Sequence, residues 1–307
     1  MTRQDDRRRA VAGALFALAA FGLWGVNPVY FKAVAHVPPL EVLAHRVVWT
    51  VVLLAALITA TGGWATVGRA LRDRQTLALL ALSTALISVN WFIYIWAVVA
   101  ERVLETSLGY FINPLISVLL GVLVLRERLS PLQGVAVGLA GLGVLNLSLD
   151  AAGLPWVALS LAVTFGFYGL IRKTVRVGSA EGLLVETTLM LPAALIYLLV
   201  MGGRTGFFGS GSTADVLLLL AAGLVSATPL LCFTSAARRL RLSTIGMFQY
   251  LAPSAQFLLA IFAFGEPFTR AHLVTFLCIW AALGIFTLDS LRRSRQERLA
   301  AAPAGAE

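Results

Sequence analysis

Ten runs of mainly apolar residues alternate with short polar connections along this chain. They fall at about residues 10–31, 40–60, 76–98, 104–125, 131–149, 154–171, 180–200, 214–235, 243–264 and 271–289. Each is roughly 18–23 residues long, the length a helix needs to cross about 30 Å of hydrocarbon. The pattern predicts an all-α membrane protein with ten transmembrane helices. Residues 1–9 form a polar, arginine-rich tail, and the first apolar run is long enough to span, so it reads as a retained helix rather than a signal peptide.

The distribution of charge orients these spans. Of the 24 Lys and Arg residues, nineteen lie in the two termini and the even-numbered connections, from Arg3, Arg7, Arg8 and Arg9 to Arg292, Arg293, Arg295 and Arg298. The other side carries Lys32, Arg102, Arg204 and Arg270, and Arg46 sits inside the second run. Misplacing one span would scramble that alternation, so the count predicts both termini in the cytoplasm. The net charge of +9 therefore belongs to juxtamembrane turns and anionic lipid, and nucleic acid is not expected as a partner.

Composition leaves no soluble domain: 59% of residues are hydrophobic and 13% charged, against about 25% charged in soluble proteins. Cys232 and Cys278 fall inside apolar runs and read as packed thiols, with no disulfide, metal site or cofactor implied. The Ala/Gly/Pro-rich C-terminal end reads as disordered.

The chain repeats itself. Pro114 and Glu127 stand thirteen residues apart, as do Pro253 and Glu266, and residues 109–114 and 248–253 lie in register. Phe21 to Gly25 is echoed by Phe165 to Gly169. Two five-helix halves follow, residues 10–149 and 150–290, flanked by tails at 1–9 and 291–307. Five is odd, so the halves insert with opposite orientation. Inverted repeats of this kind place a substrate site near the midplane and give alternating access by rocking of one half against the other.

Polar side chains in a bilayer are costly unless paired or facing water. In the fourth run Tyr110, Asn113 and Ser117 share a face beside Pro114. In the ninth run Ser243, Gly246, Gln249, Pro253 and Gln256 repeat the device, with Tyr250 adjacent. Asn90, Trp91 and Tyr94 in the third run offer an aromatic wall with hydrogen-bonding tips, suited to an amphipathic or cationic small molecule. Asn27 precedes Pro28, where a broken or kinked helix is expected, and Tyr168 lies in the second-half echo. These eleven residues (Asn27, Asn90, Trp91, Tyr94, Tyr110, Asn113, Ser117, Tyr168, Gln249, Tyr250 and Gln256) are the candidates for a substrate cavity. Interhelical hydrogen bonding without a substrate is the competing reading of each.

Proton coupling needs a carboxylate or imidazole that alternates between two protonation states. Glu186 in the seventh run and His45 in the second, equivalent at an offset of 141, are the candidates. The alternative places Glu41 and Arg46 at the interface and makes Glu186 a structural hydrogen-bonding partner. Glu127 and Glu266 read as locks on their turns. Gly134, Gly138 and Gly141 form a small-residue stripe for packing, within the bundle or between the protomers of a homodimer.

Several stretches resemble one family. Gly22 to Lys32, Glu41 to Arg46, Asn90-Trp91, Glu105 to Leu115, Phe167 to Leu170, Pro229 to Thr234 and Arg239 to Tyr250 are similar to the RarD proteins. These are EamA-type members of the drug/metabolite transporter superfamily. The resemblance covers about residues 10–290; Pro38-Pro39 departs from it, where the group usually has one proline. It implies a bacterial inner-membrane permease exporting small metabolites or drugs, traditionally labelled by a chloramphenicol phenotype. It supplies no binding residue.

No G-x-x-x-x-G-K-[ST], H-E-x-x-H or G-x-S-x-G occurs, so neither an ATP-driven pump nor an enzyme is expected. A secondary transporter, driven by protons, is the leading expectation. A membrane scaffold or regulatory subunit without transport activity is the alternative.

Overall fold

A computed structural model describes residues 3–125, 130–150, 154–205, 212–237, 239 and 248–300. Every described element is a helix: α1 (Arg3–Ala33), α2 (Pro39–Thr61), α3 (Trp64–Arg72), α4 (Arg74–Val99), α5 (Val103–Leu125), α6 (Pro131–Asp150), α7 (Trp156–Thr174), α8 (Ser179–Thr205), α9 (Thr213–Ala237), α10 (Leu251–Leu258) and α11 (Arg270–Ala300). A π-helical turn, Leu259–Ala263, continues α10. Seven stretches are long and apolar enough to cross a membrane: Val11–Ala33, Pro39–Thr61, Arg74–Val99, Pro131–Asp150, Ser179–Met201, Thr213–Phe233 and Arg270–Asp289. Trp156–Arg172 and Leu251–Ala263 are shorter apolar helices. The ninth apolar run enters the described residues only at 248, and Glu127, Ser243 and Gly246 lie outside them.

Local chemistry sets the helix ends. Pro39 opens α2, where its missing N–H costs nothing. Gly62 closes it at φ +73°, the left-handed conformation that a glycine adopts without strain. Asp73 caps α4 by accepting the Thr76 amide at 3.0 Å, and the Thr76 hydroxyl together with that amide holds its carboxyl below the usual carboxylate range. The α3 helix was not foreseen in the connection it occupies. Its buried Val67 and Ala70 stand one turn apart and turn inward, while α3 packs on α8.

Of the broken or kinked helix expected at Pro28, the break does not occur: α1 continues to Ala33. Pro28 lacks the N–H that would bond the Trp24 carbonyl, and Gln256 Nε2 of α10 supplies a substitute at 3.1 Å.

The connections gather at two ends. At one, Lys32 pairs with Glu101 at 3.3 Å and His36 contacts Asp215 at 2.9 Å. There too Glu266, beyond α10, accepts the Val103 and Leu104 amides on its two carboxylate oxygens, each at 2.7 Å, capping α5. At the other end Thr66, Arg69, Asp73, Thr76 and Arg176 share a cleft of about 250 Å³. Ser130 donates to Asp289 at 2.7 Å.

Helices pack in a regular scheme: α2 on α8, α6 on α11, α5 on α10, α5 on α7, α1 on α10, α1 on α9, α4 on α7, α2 on α9 and α4 on α8. Glycines permit the closest of these. A Cβ on Gly223 would stand 2.6 Å from the Trp49 backbone, and one on Gly109 would stand 2.8 Å from the Ala158 carbonyl oxygen. The stripe at Gly134, Gly138 and Gly141 faces outward, with nothing within 4 Å of an added Cβ. On α6 the buried face is Ala136, Ala140, Gly143 and Leu147. Large apolar side chains such as Leu199, Phe262 and Leu149 project from the exterior, a surface that suits hydrocarbon rather than water.

Candidate functional site

Three of the packed pairs enclose two charged side chains. On α2, Arg46 lies seven positions after Pro39; on α8, Glu186 lies seven positions after Ser179. Leu43, Ala44, Val47 and Val48 of α2 cluster with Met190, Leu191, Ala194 and Leu198 of α8. Leu54 and Ile58 cluster with Leu183, Leu184 and Val185. The two helices are therefore antiparallel, and the charged residues stand at different levels, separated by about eight residues or ~12 Å along the axis.

Glu186 is fully buried and held from two neighbouring helices, α4 and α7. Ser83 of α4 donates to its Oε1 at 2.5 Å, Tyr168 of α7 donates to its Oε2 at 3.2 Å, and Arg172 Nε stands 3.8 Å away. A carboxyl with two hydroxyl donors and a nearby guanidinium can hold either a charge or a proton inside the bundle. His45 is buried on α2, one turn after Glu41. Glu41 is also fully buried, and neither of its carboxyl oxygens has a hydrogen-bond partner among the described residues.

Arg46 is buried rather than interfacial. Its Nε donates to Ser226 Oγ of α9 at 2.6 Å. Its guanidinium stacks over the Trp91 ring, 3.9 Å from the centroid, with Phe31 at 5.8 Å on α1. Gly223, three residues before Ser226, lets α9 approach α2 closely enough to make that hydrogen bond. Glu41 and Arg46 are the residues that sequence reasoning undervalued. The signal was available: Arg46 lies inside an apolar run, too deep for a short connection to reach.

An aromatic row links the two charged levels. Phe31 meets Tyr94 at 5.6 Å, Tyr94 meets Tyr110 at 5.8 Å, Tyr110 meets Phe165 at 6.1 Å, and Phe165 meets Tyr168 at 5.9 Å, all between ring centroids. Of the cavity candidates, Tyr94, Tyr110 and Tyr168 thus come together along this row, while Trp91 lies against Arg46.

Other candidates have their polar groups engaged between helices. Asn90 Nδ2 donates to the Leu161 carbonyl at 3.1 Å and to Thr164 Oγ1 at 2.9 Å, fastening α4 to α7. Gln256 joins Thr106 and Trp24, fastening α10 to α5 and α1. Tyr250 is half-buried just before α10. Asn27 and Asn113 are buried, and Gln249 is half-buried just before α10. The Ser117 side chain lies outside the described residues. No cluster of three or more His, Cys, Asp or Glu side chains that could hold a metal occurs among the described residues.

Known proteins share this architecture and sequence. The EamA-like transporter family matches residues 11–149. An uncharacterized transporter of Vibrio cholerae is 46% identical over 98% of this chain and its own full length. Protein RarD of Escherichia coli strain K12 is 44% identical, covering 95% of this chain and 99% of its own. A protein of Pseudomonas aeruginosa called chloramphenicol-sensitive protein RarD is 34% identical over 93% of this chain and 96% of its own. A crystal structure at 20% identity superposes with a TM-score of 0.59, covering 91% of this chain and 98% of that one.

Proposed function

The chain belongs to the RarD group of the EamA-like transporter family, and from that premise we propose that it is a proton-coupled secondary exporter of small metabolites or drugs. Membership makes it a multi-pass membrane transporter; direction, coupling and architecture are our reading. Chloramphenicol is a compound to include among its solutes, since a relative carries that drug in its name.

In this reading ten helices form two inverted repeats, residues 10–149 and 150–290, with both termini in the cytoplasm of a bacterial cell. The packing scheme supports it. If α1, α2, α4, α5 and α6 correspond in order to α7, α8, α9, α10 and α11, the pairs α2–α8, α5–α10 and α6–α11 are each their own counterpart. The remaining contacts then exchange: α1–α9 with α7–α4, α5–α7 with α10–α1, and α2–α9 with α8–α4. Such exchange is what a twofold axis in the membrane plane produces. The family match to residues 11–149 supports a boundary near 150.

The observation that carries proton coupling is the setting of Glu186, fully buried yet reached by Ser83 of α4 and by Tyr168 and Arg172 of α7. His45 is the corresponding group in the first half. Loading and release of a proton at Glu186 change the charge in the bundle interior, which biases the two halves between their arrangements.

The test is a pH-dye assay on energised everted vesicles, challenged with amino acids, metabolites and chloramphenicol. A solute-specific collapse of the proton gradient that empty vesicles lack, and that Glu186→Gln abolishes with normal insertion, is the expected result. Unchanged collapse in Glu186→Gln sinks coupling through this residue. Silence across the whole panel sinks proton antiport.

A further inference from the structure

Arg46 is a buried cation with no counter-charge beside it among the described residues. It is 7% exposed, and its one hydrogen-bond acceptor among the described residues is Ser226 Oγ, bonded to Nε. No carboxylate among the described residues lies within 4.0 Å of its nitrogens; the four ion pairs there all lie elsewhere. Glu41, five residues earlier, has no hydrogen-bond partner for its carboxyl oxygens among the described residues. A guanidinium inside a span costs several kcal/mol unless paired or hydrated, so a position like this marks a binding function by default. Glu186 makes the contrast plain, because its charge is met by a guanidinium and two hydroxyls.

The surroundings of Arg46 specify the partner. Its planar fork, with the terminal nitrogens unspent, matches a carboxylate held by two parallel N–H···O bonds. Phe31 stands beside the guanidinium, and Tyr94 and Tyr110 follow it in the aromatic row. Tyr30 is committed to the Leu218 carbonyl at 2.9 Å, whereas the buried Tyr94 hydroxyl has no hydrogen-bond partner among the described residues. Trp91 and Phe31 give the site flat apolar walls. A single guanidinium balances a monoanion; a phosphate dianion would call for more cations than stand here.

We propose that Arg46, assisted by the Tyr94 hydroxyl, binds the carboxylate of the transported solute, so the substrate class is a small organic monocarboxylate or zwitterion with an apolar body. This replaces the amphipathic or cationic molecule that the aromatic residues alone suggest. It rests on the permease reading for transport, although binding at Arg46 is measurable without transport.

The experiment uses purified full-length protein in detergent and a panel of aromatic and aliphatic monocarboxylates, each beside its own carboxamide. Binding is read by the rise in unfolding temperature and by quenching of tryptophan fluorescence, with Trp91→Phe assigning the part of the quench that comes from beside Arg46. The carboxylates are expected to bind about tenfold or more tightly than their amides. Arg46→Gln should abolish that preference, and Arg46→Lys, which keeps the charge but loses the fork, should retain part of it. Should Arg46→Gln fail to fold, Tyr94→Phe must lower carboxylate affinity with less effect on amides. Equal binding of acids and amides, no binding by any acid, or an undiminished preference in Arg46→Gln overturns the assignment. Flux of neutral or cationic solutes that ignores Arg46 overturns the site and leaves the permease standing. Carboxylate binding at Arg46 with no flux of any solute leaves the site standing and overturns the permease.

Discussion

Gln256 and Trp24 are joined across two helices at the one carbonyl that Pro28 leaves without its helical donor. In hydrocarbon an orphaned backbone carbonyl is costly, so the amide of Gln256 is part of what keeps α1 continuous. Gln256→Ala is expected to cost about 1–2 kcal/mol. In a Pro28→Ala background the restored N–H at position 28 takes up the same carbonyl, and the cost of Gln256→Ala should shrink. Thermal unfolding of the two single variants and the double variant checks this. Additive losses would mean that the proline and the glutamine are unrelated.

Glu266 closes the amide end of α5. Glu266→Ala should cost about 0.5–2 kcal/mol, as loss of a helix cap does. Burial holds its carboxyl above the ordinary value of 4.5, against the pull of the Leu104 and Val103 amides. The folded protein therefore binds this proton more tightly than the unfolded chain. That contribution is present below the unfolded value and is lost as pH rises through the folded one. Glu266→Gln, which cannot titrate, should flatten the pH dependence of the unfolding temperature just above pH 4.5.

Gly223 and Gly138 are both helical, and only one of them is crowded. At Gly223 an added methyl meets the Trp49 backbone, and the resulting strain of about 1–3 kcal/mol outweighs the gain of up to ~1 kcal/mol from better helix propensity. At Gly138 the methyl meets nothing, so Gly138→Ala should be neutral or slightly stabilising. The two unfolding temperatures, compared with the parent, decide the point.

Asn90 and Asn113 should separate structure from recognition. Asn90→Ala removes both bonds from α4 to α7 and should lower stability by about 1–2 kcal/mol. Asn113→Ala and Gln249→Ala are expected to weaken solute recognition more than Glu127→Ala does. Transport rates normalised to inserted protein, together with unfolding curves, distinguish the two kinds of loss. Equal effects from all of these substitutions would indicate general packing damage.

How far the sequence could be read depended on the physical signal involved. Hydrophobic length placed the helices because thickness is a one-dimensional constraint, readable along the chain. It could not reveal α3, which crosses nothing and shows itself only through Val67 and Ala70 packing inward. Helical spacing grouped Asn113 with Tyr110 on a face, but which neighbour that face meets is decided by tertiary packing. For that reason Asn90 and Gln256 could not be told from cavity residues before their partners in α7, α5 and α1 were known. Arg46 was misjudged for a related reason. Position in the span signals burial, but the missing counter-charge becomes visible only when every surrounding helix is in place.

The row from Phe31 to Tyr168 draws its rings from α1, α4, α5 and α7. Neighbouring rings touch edge to face or at a tilt, and each such contact contributes about 0.5–1.5 kcal/mol beyond its buried area. No single contact is strong enough to act as a gate, and no single helix owns the row. Parting α1 from α4 undoes one link and leaves the rest joined. Three of its four links join different helices, while Phe165 and Tyr168 both belong to α7, so a shift of any one helix disturbs its own links and leaves the others in contact.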